Sequence, residues 1–446
     1  MKKLSVNLSR LLLAAVLILS GFVKAVDPMG TQYKIEDYST ALGFPGLVPP
    51  LVAVMLAVAL AAFEFCMGVL LLFAIRRRLT SRLVLLMFIV MTPLTLWLAL
   101  TNPISDCGCF GDAVILSNWQ TFWKNVVLLA AAVAVARWPM QMVRFISQSN
   151  QWIVINYSVL FILAVAGWSL YDLPQFDFRP YHIGANIREG MAIPEGAEQP
   201  EYDTTFILEK DGERRGFTLA DYPDSTWTFI DSRTTLVSRG YVPPIHDFTI
   251  ETDEGDDITE DVVAATGYTF LLVAPQLADA DDSSLDVINE LYEYALHHEY
   301  PFYCLTASPD GDIDRWRDQT GAEYPVCHTD ETTLKTIIRS NPGLLLLHDA
   351  TVIGKWSHNS LPVIGEEQWQ QTLDQMEMGR MPDDSAAAKV LRLMLWFALP
   401  LLLLTVADRL WAWSRWLRKK PRTAPKFPAA PETPAASVVP EVPEIP

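Results

Sequence analysis

Cysteine and histidine are scarce in this chain: five of one and seven of the other in 446 residues. So few thiols exclude a scaffold stapled by disulfides. No metal site is expected. His297 and His298 are adjacent and point different ways around a helix, and "SPDGDIDRW" lacks the ligand spacing of an EF-hand loop. There is no P-loop, no glycine-rich nucleotide fingerprint and no Ser–His–Asp order. Lys and Arg number 34 against 52 Asp and Glu, giving a net charge of -18. An excess of that sign argues against nucleic acid as a partner.

Long apolar runs, by contrast, are abundant, and half the residues are hydrophobic. Stretches of about 18 apolar residues are membrane-span candidates. Six are read here, at residues 10–26, 49–75, 83–101, 122–136, 153–170 and 390–407, the fourth being the shortest. Lys2, Lys3 and Arg10 precede the first span, Arg76, Arg77, Arg78 and Arg82 follow the second, and Arg137 and Arg144 follow the fourth. A further basic cluster runs from Arg409 to Arg422 after the sixth. All four clusters fall on one face if both termini are cytoplasmic, as the positive-inside rule requires. No small-x-small cleavage site follows the first span, so it is read as retained. Lipid is then the medium of these helices, and the expected location is a bacterial inner membrane.

The same parity puts residues 171 to 387 outside the cytoplasm, in the periplasm, and that segment carries the negative balance. It divides in two. Residues 171–242 read as a β-rich connector, with a hairpin turning at Asp211–Gly212. Residues 243–385 alternate strands and helices, the pattern of an α/β layer. "YTFLLVAP" and "PFYCLTAS" read as buried strands, "SSLDVINELYEYALHH" as an amphipathic helix, and "GLLLLHDATVIGKWSH" as a closing hairpin. "GFVKAVDPMGTQYKIEDYSTALGFPG", after the first span, reads as a polar loop punctuated by Gly and Pro. The sixth span, within residues 388–410, leads into a proline-rich tail (411–446) with the composition of a disordered cytoplasmic segment.

The expected topology leaves Cys107, Cys109, Cys304 and Cys327 on the oxidising side, with Cys66 inside the second span as a small apolar packer. Disulfides persist in such a space. In "SDCGCFGDA" two cysteines straddle Gly108, which permits the sharp bend that an i, i+2 pair needs to bring its sulfurs together. A clip closing one residue constrains almost nothing, so redox exchange is the favoured reading. Asp106 and Asp112 flank the pair and oppose thiolate formation unless one accepts its proton. Glu64 lies mid-span, where a carboxylate is costly and is a functional candidate by default; a plain polar contact is the other reading. Lys24, at a span end, is expected to snorkel to the interface.

These residues carry two resemblances. Through "SGFVKAVDP", "FEFCMGVLLL" and "DCGCFGD", residues 1–170 resemble the DoxX-like and MauE (methylamine utilisation) families of membrane proteins. That resemblance implies a five-span helical bundle associated with methylamine dehydrogenase maturation, which depends on periplasmic disulfide formation beside a thioredoxin-like partner, MauD. Through "PIHDFTI", "DEGDDI", "FLLVAP" and "SNPGLLLLHDATVIGKW", residues 244–362 resemble thioredoxin-like domains of the AhpC/TlpA type. This implies a cis peptide bond before Pro342 and a chain that fuses a MauE-like unit to a MauD-like one. The C-x-x-C of that family is missing: its place reads "APQLADADDSS". Cys304 and Cys327, at the ends of two strands expected to be neighbours, leave a disulfide and two buried thiols both open.

Two functions follow. One is a thiol–disulfide oxidoreductase working through Cys107 and Cys109, supported by Asp106, Glu64 and Lys24. It would exchange with a periplasmic thiol protein; no cofactor is expected to be bound, and by elimination a quinone is the acceptor. The other is a non-catalytic assembly factor whose degenerate thioredoxin-like domain holds a client. Solute transport lacks support, since the spans show no repeated broken helices.

Overall fold

A computed structural model describes residues 2–104, 107–198, 201–210, 213–217, 227–238, 240–382 and 386–418. Asp106, the Asp211–Gly212 turn and the tail from residue 419 lie outside the described residues. The membrane part begins with α1 (Lys2–Val26), α2 (Pro28–Ala41), α3 (Pro50–Phe73) and α4 (Arg77–Thr101). It continues with α5 (Asn118–Arg137) and α6 (Gln151–Tyr171). Beyond it come α7 (Ile187–Met191), β1 (Glu201–Lys210), β2 (Glu213–Phe217), β3 (Thr228–Ser238), β4 (Glu251–Thr252) and α8 (Thr259–Ala264). Then follow β5 (Tyr268–Val273), α9 (Leu285–His297), β6 (Phe302–Thr306), α10 (Asp310–Thr320), β7 (Val326–His328) and α11 (Glu331–Ile337). The last elements are β8 (Gly343–His348), β9 (Thr351–Ser357) and α12 (Ala386–Arg418).

Among the described residues six helices are long and apolar enough to cross a membrane: α1, α3, α4, α5, α6 and α12. The chain is a multi-pass membrane protein. Helices α1 and α3 pack backbone against backbone because small residues line their crossing. A Cβ on Gly21 would overlap the Phe65 backbone nitrogen and stand 2.7 Å from the Ala61 carbonyl oxygen. Without a hydrophobic force between helices in lipid, such close approach is a main source of cohesion.

Most of the segment read as a polar loop after the first span, Pro28–Ala41, is helix α2. Asp27 accepts the Gly30 backbone N–H at 2.9 Å and Pro28 takes the first helical position. "DPMG" is therefore a start signal, in which the N-terminal proline costs no hydrogen bond and the aspartate caps.

At one end of the bundle the α5–α6 connector is tied down by basic side chains. Arg10 donates to the Val143 carbonyl at 2.6 Å, Arg77 to the Met142 carbonyl at 2.8 Å and Arg409 to the Phe145 carbonyl at 2.9 Å. Buried Asp408 accepts from the Ser147 N–H at 2.9 Å and from the Asn150 amide at 2.7 Å, anchoring α12 there. The loop carrying Cys107 and Cys109 lies at the opposite end, with α2 and the α/β domain.

That domain has a six-stranded sheet in the order β4-β7-β6-β5-β8-β9, with β5, β6 and β7 parallel and the β8–β9 hairpin antiparallel. Period-two alternation sorts its continuous apolar strands onto two cores. Phe270, Leu272, Leu344 and Leu346 pack with Ile288 and Leu291 of α9. Leu271, Val273, Leu345 and Leu347 pack with Val262 of α8 and Leu334 of α11. The Asn341–Pro342 peptide bond is cis. A separate sheet, β2-β1-β3, precedes this domain. Residues before that sheet join the α/β domain: Gly184 N–H donates to the Val352 carbonyl and Ile187 N–H to the Ala350 carbonyl.

The Cys304–Cys327 disulfide is excluded by register. Cys304 pairs with Val326 and Cys327 with Leu305, so the two cysteines are one residue out of step. One residue flips a side chain to the other face. Cys304 lies in the core with α9 and Cys327 in the core with α11, and both are free. Burial pushes both thiols up, Cys304 to about 12 and Cys327 to about 11.

Candidate functional site

The loop between α4 and α5 is held from both sides. Ser117 caps α5 in a reciprocal box with Gln120. The Asn118 amide, one residue on, reaches back to the Ile104 carbonyl at 2.8 Å and to Asn102 Oδ1 at 2.8 Å. Inside this frame Gly108 has φ of +65°, the left-handed conformation that glycine adopts without strain. The bend brings Cys107 Sγ and Cys109 Sγ to 3.0 Å. That is one S–H···S contact, about 1 Å longer than a disulfide bond. Both cysteines are free, and Cys107 is the more buried. Tyr38 of α2 donates to the Cys107 carbonyl at 3.2 Å.

Beneath the loop sits a buried polar cluster on α1 and α3. Lys24 Nζ is 2.7 Å from Glu64 Oε2, 2.7 Å from Ser20 Oγ and 2.8 Å from the Cys109 carbonyl oxygen. Ser20 Oγ stands 2.7 Å from Glu64 Oε2 and 2.6 Å from the same Cys109 carbonyl. Its single proton goes to one of these at a time, while its lone pairs accept from Lys24. Lys24 is 5% exposed and Glu64 3%. The expected snorkelling of Lys24 is thus overturned: the nearby carboxylate offers an ion pair inside the protein, and Ser20 and the Cys109 carbonyl complete the ammonium's coordination.

The cluster brings together Lys24, Glu64, Cys107 and Cys109, four of the residues picked out in the sequence. Ser20 was not picked out, although its i, i+4 spacing to Lys24 was the available signal. Asp112 stands in an ion pair with Arg339, 3.6 Å off. Cys66 packs against the apolar core cluster of the helical bundle. His298 accepts or donates at the Trp369 carbonyl, 2.9 Å away, within a cluster of Tyr294, Tyr300 and Trp369 rings.

The two thiols are unequal. A hydrogen bond from Cys107 is the largest influence on Cys109; burial opposes it, and the Lys124 and Lys24 ammoniums add to it. Cys109 is lowered to about 6. Cys107, donating that hydrogen bond and buried beside a developing thiolate, is pushed up. Lys124 is fixed over the Phe110 ring at 4.4 Å. Such an arrangement supplies a nucleophilic thiolate with a second thiol in contact.

An apolar cleft of about 760 Å³ lies elsewhere, lined by Ile18, Phe22, Phe65, Phe161 and Phe397 among others. At 100° per residue, Ile18 and Phe22 lie on the side of α1 opposite Ser20 and Lys24. The cleft therefore does not open on the sulfurs from α1.

Residues 2–137 match the family model described as "Methylamine utilisation protein MauE". Residues 202–239, which span the three-stranded sheet, match a domain of unknown function, DUF8463. No curated protein and no solved structure matches the chain.

Proposed function

We propose that this chain is a membrane-bound thiol–disulfide redox protein. It would support extracytoplasmic disulfide chemistry or protein maturation through the Cys107–Gly108–Cys109 loop, with both termini cytoplasmic. The carrying observation is the pair of sulfurs 3.0 Å apart, with the Cys109 carbonyl clamped by Ser20 and Lys24. The match of residues 2–137 to MauE supports the same direction, given the disulfide-dependent maturation with which that family is associated.

The exchange needs no further reagent. In the disulfide form, a client thiolate attacks one sulfur, breaks the Cys107–Cys109 bond and leaves a mixed disulfide. The client's second thiolate then displaces the loop cysteine. Two electrons pass from client to loop. Of the two protons the client thiols release on ionising, one ends on Cys107 and the other stays in solvent at neutral pH, because Cys109 leaves as a thiolate. Run backwards, the Cys109 thiolate attacks and Cys107 resolves. The partner is a separate protein, because Cys304 and Cys327 are 0% and 2% exposed. A quinone acceptor gains no support from the apolar cleft.

A thioredoxin-like reading of the α/β domain is supported by the parallel β5–β6–β7 strands and by the hairpin that follows a cis proline. The residues after β5 (Ala274, Pro275, Gln276, Leu277) contain no cysteine, which favours a second reading, a non-catalytic assembly factor that holds a client. One experiment separates the two. In a deletion strain, Cys107→Ser alone should accumulate a mixed disulfide at Cys109, and the double serine variant should fail to complement. Full complementation by the double variant would replace the redox reading with the binding one.

A further inference from the structure

Arg339 lies two residues past the end of α11, and its guanidinium leaves its own domain. Nε is 3.1 Å from each carboxylate oxygen of Asp27, and Nη2 is 2.9 Å from Asp27 Oδ2. Nη2 is also 3.6 Å from Asp112 Oδ2. The side chain is 6% exposed, with the Tyr33 ring of α2 at 5.1 Å from the guanidinium carbon. Exposed ion pairs contribute little. This one is forked, walled off by an aromatic ring and shared between two carboxylates, the geometry in which arginine is not replaceable by lysine.

The two carboxylates belong to two parts of the thiol site. Asp27 follows the last residue of α1, the helix whose Ser20 and Lys24 grip the Cys109 carbonyl. Asp112 stands three residues beyond Cys109 in the cysteine loop. One guanidinium, supplied by the α/β domain, therefore links the gripping helix to the gripped loop. Burial raises the Asp27 carboxyl, but Arg339, Arg179 and the Gly30 N–H together hold the group below the usual carboxylate range.

We infer that Arg339 is a positioning residue for the thiol pair: it pins the Cys107–Cys109 loop against α1, so the pair's reactivity depends on the docked α/β domain. The purpose of this device rests on the redox reading; its test does not. Full-length protein in detergent, reduced, is treated with iodoacetamide, and modification of the peptide bearing Cys107 and Cys109 is followed by mass spectrometry. Arg339→Met and Asp112→Asn should each slow the reaction about fivefold, and the double variant should be no slower than Arg339→Met, because both break one link. Additive effects overturn the inference, as does a rate for Asp112→Asn within about twofold of the parent. Asp112 is 43% exposed, so its variant decides the matter where Arg339→Met does not fold. Alkylation moves no electrons between pairs. A loop that alkylates as expected but never exchanges with a client would sink the functional reading and leave this inference standing.

Discussion

Lys24 and Glu64 are two full charges held inside a helical bundle, and each is tolerable only because of the other. Breaking such a pair leaves an uncompensated charge and costs about 3–5 kcal/mol, whereas replacing both is far milder. Lys24→Met should therefore lower the thermal stability of the detergent-solubilised protein more than Lys24→Met combined with Glu64→Gln. A double variant at least as unstable as the single would show that the pair is not the source of the effect. The Cys109 thiol makes the pH prediction. Lowered to about 6, against about 8.5 for a free cysteine, it is a thiolate above that value and a thiol below it. Alkylation of Cys109 should thus stay fast at neutral pH and fall as pH drops through about 6. A midpoint in the ordinary range would remove Cys109 as the attacking group. At this scale the sequence revealed the cysteines through their spacing and Glu64 through its depth. It did not reveal Lys24's partner, because the encounter joins residues forty positions apart on two helices.

Elements decide how close those residues come. The α1–α3 crossing brings Ser20 and Lys24 against Glu64, and Gly21 permits it by presenting no Cβ to the Phe65 and Ala61 backbone. Gly21→Val should force the helices apart at a cost of about 1–3 kcal/mol. Thermal unfolding in detergent measures the loss, and Cys109 modification should change with it because the carbonyl clamp sits on the same helix pair. Unchanged unfolding would show that α1 and α3 can slide without penalty. The spans and the core strands were legible because apolar runs are local. Helix α2 was not, since Pro28 and Gly30 serve a helix start and a loop equally well until the Asp27 cap is seen. Nor was the relation of Cys304 to Cys327, which turns on a one-residue register that no local pattern carries.

The two ends of the helical bundle differ in kind. One end carries Arg10, Arg77 and Arg409, each bonded to carbonyls of the α5–α6 connector. The other end carries the thiol loop, α2 and the acidic α/β domain, joined through Arg339. Helices α6 and α12 bracket that domain, so it emerges and returns at one face. The positive-inside rule predicts that the basic end faces the cytoplasm, and the proposed redox function needs the thiol loop in an oxidising space. In a variant stripped of native cysteines, cysteines introduced at Ser117 and Asp256 should react with a membrane-impermeant maleimide in intact cells. A cysteine at Ser437 should react only after the cells are opened. Ser117 belongs to the loop itself and Asp256 to the acidic domain, so the two sites test separately whether thiols and domain share a side. Labelling of Ser437 in intact cells would invert the orientation and put Cys107 and Cys109 in a reducing compartment, where a disulfide exchange cycle with secreted clients has no substrate.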